Sequence, residues 1–174
     1  MHILQGEALQ PYNTLALAAH ARALVRVAEY GQLLEALAWA ADRALAVIPL
    51  GEGSNVVVAG DLEALVLRMD TRGKQLLEDD RDSVLLRVAA GESWHGLVQW
   101  SLEQGYFGLE NLALIPGTVG AAPIQNIGAY GVDLAPFVHR VHCVTIAGGE
   151  TRIVAGAACQ FGYRDSIFKH GLQD

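Results

Sequence analysis

The chain has 174 residues, 52% of them hydrophobic, enough to bury a substantial core and to exclude intrinsic disorder as its main state. Twelve Lys+Arg against 19 Asp+Glu give a net charge of −7 and a pI near 5.3. No basic stripe is present to neutralise phosphates along a duplex, so nucleic acid and anionic membrane are not expected partners. The apolar stretches, residues 44–50 among them, fall short of the roughly 20 residues of a spanning helix. The start Met1-His2-Ile3-Leu4-Gln5-Gly6 has neither a basic n-region nor a long h-region, and the expectation is a soluble, cytoplasmic protein.

Residues 32–41 place Leu33, Leu34, Leu37, Ala38 and Ala41 on one stripe at helical spacing, and residues 46–50 read as a short buried strand after a turn. A helix feeding a strand is thus expected to open the fold. Residues 55–58 and 64–69 are further β-rich runs, so the intervening Gly51-Glu52-Gly53-Ser54-Asn55 joins strand to strand. The polar break Asp70-Thr71-Arg72-Gly73-Lys74 marks the expected boundary between two small lobes, residues 1–72 and 73–174. In the second, residues 84–90 read as a strand ending at Gly91. Ser93 then caps a helix whose Trp94, Leu97, Val98 and Leu102 line one side before Gly105 stops it. Residues 108–131 are apolar without a sustained period, and a loop of that length in a compact domain belongs to function or to disorder; the composition favours function. Residues 138–146 and 151–154 form an expected hairpin through Gly148-Gly149, and residues 159–174 an aromatic, charged tail.

Cys143 and Cys159 are too few and too far apart for a redox pair or a zinc knuckle, which points to free thiols in a reducing compartment. On a strand, His139 and His142 face opposite sides. His139 and Cys143 share a side but lie about 13 Å apart at roughly 3.3 Å per residue, too far to hold one metal ion. No metal site is expected.

Glycine is the compositional excess, 19 of 174, or about 11% against an average near 7%. Six of the 19 fall within residues 105–131, together with Pro116 and Pro123. Gly51-Glu52-Gly53-Ser54-Asn55 follows a strand, and its glycines allow backbone N–H groups to point at an anion; a tight hairpin turn accommodates the same residues. It is no dinucleotide fingerprint, because Val56 stands at the third glycine position and strand follows. The run from Ile115 to Gly131 is more specific. Gly117, Gly120, Ala121, Ala122, Gly128 and Ala129 leave room for a flat, rigid body against the main chain, while Gln125 and Asn126 supply amides. A self-packed loop is disfavoured by the lack of side-chain bulk. Two glycine-rich segments in two lobes suggest one extended ligand between them.

Leu50-Gly51-Glu52-Gly53-Ser54-Asn55, Gly108-Leu109-Glu110-Asn111-Leu112, the run from Ile115 to Gly131, and Phe161-Gly162-Tyr163-Arg164-Asp165-Ser166-Ile167-Phe168-Lys169 together resemble the UDP-N-acetylenolpyruvoylglucosamine reductase family, from about Asn13 to Asp174. The resemblance implies an α+β, two-lobed FAD-binding fold of the vanillyl-alcohol oxidase and p-cresol methylhydroxylase type, truncated at the C-terminus. It implies reduction of the enolpyruvyl ether of UDP-N-acetylglucosamine to UDP-N-acetylmuramate for bacterial peptidoglycan, with NADPH reducing FAD and the flavin passing hydride on. The enolate formed is then protonated. Arg164 matches the family's active-site arginine, whose forked, permanent charge would stabilise that enolate. On the residues alone, an ion pair with Asp165 or another acid is the plainer account of it.

By the same resemblance, FAD is contacted by Gly51, Glu52, Gly53, Ser54, Asn55, Pro116, Gly117, Thr118, Gly120, Ala121, Ile124, Gln125, Ile127 and Gly128, with the pyrophosphate near residues 53–55 and 117–121. Tyr130 and Tyr163 match positions facing substrate or nicotinamide, although a tyrosine also serves as a core aromatic with a satisfied hydroxyl. Glu110 and Asn111 are expected to buttress the second loop. Family members run well over a hundred residues further, and their proton-donating serine and catalytic glutamate lie there; Ser166 does not match that donor. The expectation is an FAD-binding portion inactive alone, monomeric when full length. The alternatives are a flavin- or nucleotide-binding module without catalysis, or another oxidase or dehydrogenase of the same fold.

Overall fold

The computed structural model describes residues 1–172; Gln173 and Asp174, the end of the expected tail and second lobe, lie outside the described residues. The chain divides into two compact units, one of residues 1–70 and 142–153, the other of residues 71–141 and the described residues from 154 on.

The first unit is built on a four-stranded sheet in the order β1-β2-β4-β3, with β1 Ile3–Ala8, β2 His20–Val27, β3 Ala46–Leu50 and β4 Leu62–Met69. β1 runs antiparallel to β2, whereas β2 and β3 both run parallel to β4. Helix α1, Tyr30–Ala41, connects β2 to β3 and covers one face, where Leu33, Ala36, Leu37 and Ala40 pack on Ala23, Val25, Val27, Leu65 and Leu67. The other face buries Leu24 and Val66 under Leu9 and Ala19. β4 is therefore buried on both faces from Ala64 to Leu67, as its unbroken apolar run requires of a central parallel strand.

Three expectations change here. The fold opens on two strands rather than on the helix; β2 is hard to read because its inward positions include Ala21 and Ala23, weak strand formers that are nonetheless 1% and 0% exposed. Residues 55–58 are not a strand, since β-branched side chains do not suffice without a partner. The buried stripe of α1 is rotated, leaving Leu34, Ala38 and Ala41 exposed.

Residues 142–153, expected in the second lobe, group with the first unit. β9, Arg140–Val144, pairs with β10, Thr151–Ala155, and the turn closes with Gly149 N–H donating to Thr145 O at 2.9 Å. Tyr30 Oη lies 3.2 Å from Gly149 O, and Val144 and Ile146 pack against the α1 core. A Cβ on Gly149, at φ +68°, would come within 2.6 Å of Leu34 Cδ2, so Leu34 meets this turn instead of the sheet.

The second unit begins with the antiparallel pair β5, Lys74–Asp79, and β6, Val84–Val88; β5 starts at Lys74, the last residue of the stretch read as a polar break. Helix α2, Trp94–Glu103, is capped as expected, Ser93 Oγ accepting from Gly96 N–H at 3.3 Å. It buries Trp94, Leu97, Val98 and Ser101, whereas Leu102 is exposed. Beyond it the chain makes two single 3-10 turns, Glu110–Leu112 and Ala135–Phe137, and the short hairpin β7, Gly128–Ala129, with β8, Val132–Asp133. Irregular as it is, this segment has a core of its own: Leu112, Ala122, Ile127 and Leu134 pack with the α2 residues, and Trp94 Nε1 donates to Leu112 O at 2.8 Å. The 3-10 turn Gly156–Cys159 and the single helical turn α3, Ile167–His170, complete the unit.

Candidate functional site

In the first unit, Gly51, Glu52, Gly53, Ser54 and Asn55 leave the C-terminal end of β3 and lead into β4. Because β3 and β4 are parallel neighbours, the hairpin reading of this loop is excluded. Gly53, at φ +68°, is buried against the loop at residues 9–17: a Cβ there would stand 2.0 Å from Tyr12 O, and its carbonyl accepts from Thr14 N–H at 3.1 Å. Asn13 shapes that partner loop. Its Nδ2 donates to Leu9 O at 2.8 Å and to Leu17 O at 3.1 Å, and its Oδ1 accepts from Leu17 N–H at 2.9 Å. Asn13 and Thr14 were not among the expected site residues; the glycine beneath them was the only signal in the sequence.

In the second unit, residues 117–120 lie along residues 90–94. Trp94 N–H donates to Gly117 O, Val119 N–H to Glu92 O and Gly120 N–H to Ala90 O, each at 2.9 Å. A Cβ on Gly120 would approach Ala90 Cβ to 2.6 Å. Ala121 N–H turns back to Thr118 O at 3.1 Å. The amides of Val119, Gly120 and Ala121 are thus used inside the fold, and the side of Gly120 that a Cβ would occupy faces Ala90. Pro116 and Gly120 are exposed, Gly117, Ala121 and Gln125 half-buried, and Thr118 buried. Ile124 keeps 43% of its surface exposed. Ile127 is buried in the core, its N–H donating to Ala122 O and its carbonyl accepting from Leu134 N–H.

Gly128 and Tyr130 lie in one hairpin and Tyr163 and Arg164 in a second turn, and the arginine side chain joins the two. Tyr130, at φ +52°, and Gly131, at φ +79°, form the two-residue turn of the β7/β8 hairpin, the pair of positive angles that matches strand twist. Tyr163 and Arg164 form the tip of a second turn, closed by Gly162 N–H to Asp165 O at 3.0 Å and Asp165 N–H to Gly162 O at 3.2 Å. Arg164 Nη2 donates to Gly128 O at 2.7 Å, fixing one edge of the guanidinium on the base of the first hairpin. The expected acid pairing is not made: Asp165 Oδ1 is 2.9 Å from His170 Nε2, and among the described residues no carboxylate forms an ion pair with Arg164. Tyr130 and Tyr163 are 87% and 92% exposed, which removes the core-aromatic reading for both. Glu110 Oε2 accepts from Gly108 N–H at 2.7 Å, a local brace. His139 precedes β9, Cys159 is buried, and burial pushes the Cys143 thiol above its ordinary range.

Among known proteins, the family described as FAD binding domain matches residues 21–155. The UDP-N-acetylenolpyruvoylglucosamine reductase of Pseudomonas aeruginosa is 50% identical over 161 residues, covering 92% of this chain and 48% of the relative; the chain spans about half the length of the curated relatives it matches. The crystal structure of UDP-N-acetylenolpyruvylglucosamine reductase from Thermus caldophilus superposes with a TM-score of 0.73 at 25% identity, covering 95% of this chain and 56% of that one. A VAO-type flavoprotein from Myceliophthora thermophila superposes with a TM-score of 0.57 at 16% identity, covering 80% and 27%, a likeness of fold alone. The architecture is thus the α+β FAD-binding fold shared with VAO-type flavoproteins, the match to the reductases lies in their N-terminal part, and the chain belongs to the FAD-binding domain family.

Proposed function

We propose that this chain is the FAD-binding part of an NADPH-using reductase that converts UDP-N-acetylglucosamine enolpyruvate to UDP-N-acetylmuramate, working as a cytoplasmic monomer in its full-length form. The observation that carries the reading is the 50% identity over 161 residues to a reductase of that name. The residues fit FAD in shape. Pro116, Gly117, Gly120 and Ala121 present little side-chain bulk, and Ile124 is partly exposed beside them, which suits a flat aromatic body. Gly51, Glu52, Gly53, Ser54 and Asn55 stand at the carboxyl end of a parallel strand, the end at which such sheets take ligands. Bound FAD supplies two-electron hydride transfer. Arg164 would supply a charge that needs no proton to persist, suited to a carboxylate beside which negative charge builds. Tyr130 and Tyr163 offer exposed rings and hydroxyls to substrate or nicotinamide.

The test is to purify the protein, record its absorbance between 350 and 500 nm, and assay the full-length form with NADPH and UDP-N-acetylglucosamine enolpyruvate. The expected result is a flavin spectrum and one NADPH oxidised per UDP-N-acetylmuramate formed. A flavin spectrum with turnover of a different substrate only would favour another oxidoreductase of the same fold.

A further inference from the structure

We propose that Asn126 is a positioning residue, whose buried side chain clamps the turn carrying Arg164 and the hairpin carrying Tyr130 to one another. The inference rests on the roles given above to those two residues. Asn126 is 2% exposed and sits at φ +45°, a left-handed conformation that asparagine tolerates better than most residues. That conformation lets its amide reach two segments at once. Nδ2 donates to Gly162 O at 3.0 Å, and Oδ1 accepts from Ala135 N–H at 2.9 Å. Gly162 closes the arginine turn, and Ala135 follows the hairpin, where Leu134 N–H also donates to Ile127 O at 2.9 Å.

Two further links flank this one. Ser166 Oγ donates to Ile124 O at 2.6 Å, and Arg164 Nη2 donates to Gly128 O. Residues 124, 126 and 128 thus hold residues 166, 162 and 164. The side chains of Asn126 and Ser166 are both buried, but the second bond of Ser166 Oγ goes to Phe168 N–H two residues on, whereas Asn126 ties two segments distant in sequence. Loss of its donor frees the turn while leaving the guanidinium and the hairpin chemically intact. Asparagine is required because it donates to one segment and accepts from the other, whereas aspartate keeps the acceptor and lacks the donor.

The experiment compares wild type with Asn126→Asp by hydrogen exchange at residue resolution, with steady-state kinetics on the full-length reductase beside it. Asp165 N–H, bonded to Gly162 O within the turn, is the reporter. Exchange there is expected to rise at least tenfold over wild type in the variant at neutral pH, with α2 amides unchanged, and the variant-to-wild-type ratio at matched pH is expected to return toward one as acidification protonates the introduced carboxyl and restores a donor. The kinetic expectation is a fall in kcat with the KM for NADPH unchanged. Unchanged exchange at Asp165, or an equal rise throughout α2, overturns the clamp. If the variant does not fold, Ser166→Ala takes its place: the clamp expects Asp165 exchange to stay within about threefold because Asn126 still holds the turn, and a tenfold rise would overturn it. Exchange is read whatever the reaction, so absent turnover in the wild type rejects the reductase proposal separately.

Discussion

Arg164 and Tyr130 both adopt left-handed backbone conformations, at φ +53° and +52°, where a side-chain residue is disfavoured by roughly 1–2 kcal/mol. Both are exposed, so neither recovers that cost by burial, and the proposed role of each side chain offers the reason for tolerating it. Replacing Tyr130 with Gly is therefore expected to raise the melting temperature slightly, by the relief of about 1 kcal/mol, while kcat/KM of the reductase falls. A melting temperature that falls instead would return Tyr130 to a structural role. For Arg164→Ala the expected loss is about 10²–10³ in kcat with the flavin absorbance retained, and Arg164→Lys recovers little of it because a point charge lacks the fork. Arg164 was legible only through its neighbours, by likeness to a family motif, since one arginine in a polar stretch carries no signal of its own. Gly53 and Gly120 were legible as positions without room for a side chain, though a sequence does not name the neighbour within the fold. Tyr12 O and Ala90 fill that space, so a Val at either position is expected to disturb the local fold whatever it does to a ligand. Asn126 was read as an amide for a ligand because a sequence does not distinguish an amide that faces out from one that ties two loops.

Among the elements, those with a strong period and clear ends were readable: the strand at Ala46–Leu50 was expected with these bounds, and α2 with its Ser93 cap. What escaped were elements whose pattern is set by partners, such as Ala-rich β2 and the charged β5, a strand only because β6 pairs with it. The start of β5 is fastened by Glu92. Its Oε1 accepts from Gly73 N–H at 2.8 Å, and its Oε2 from Lys74 Nζ at 2.9 Å. The hydrogen bond from Gly73 holds the Glu92 carboxyl below its ordinary range, with the bond from Lys74 adding to it against a smaller opposing effect of partial burial than the Gly73 bond. A carboxyl whose pKa is lowered by folding stabilises the fold at every pH above its unfolded value, about 4.3, and that contribution is lost as pH falls through the folded value. Denaturant melts from pH 7 down to pH 3 are expected to show a loss of stability in wild type that is reduced in Glu92→Gln. Equal pH dependence in the two proteins would detach Glu92 from the effect.

At the scale of the whole molecule, two observations bear on what this chain does by itself. The FAD-binding family spans residues 21–155, and both glycine-rich segments fall inside it. The chain nevertheless covers only 48% of a relative 50% identical to it, and we propose that the serine and glutamate implied by the resemblance lie outside the matched part. Cofactor binding and completed reduction are therefore expected to separate. A ligand that binds only the folded state adds about 2.7 kcal/mol at a concentration a hundredfold above Kd, and for a chain of this size each kcal/mol moves the melting temperature by roughly 2–4 °C. FAD in that excess is expected to raise the melting temperature of the 174-residue chain by about 5–10 °C. The same sample, given NADPH and UDP-N-acetylglucosamine enolpyruvate, is expected to form no UDP-N-acetylmuramate, since on the proposed reading Arg164 alone of the implied catalytic groups is matched within these residues. Adenosine diphosphate at equal excess separates the parts of the ligand: a shift as large as that from FAD would place the binding energy on the diphosphate and adenosine, and a much smaller one would place it on the flavin ring. No shift with either ligand would remove the FAD reading from this chain. Product formed in proportion to NADPH consumed would show that these residues supply the proton as well as the charge.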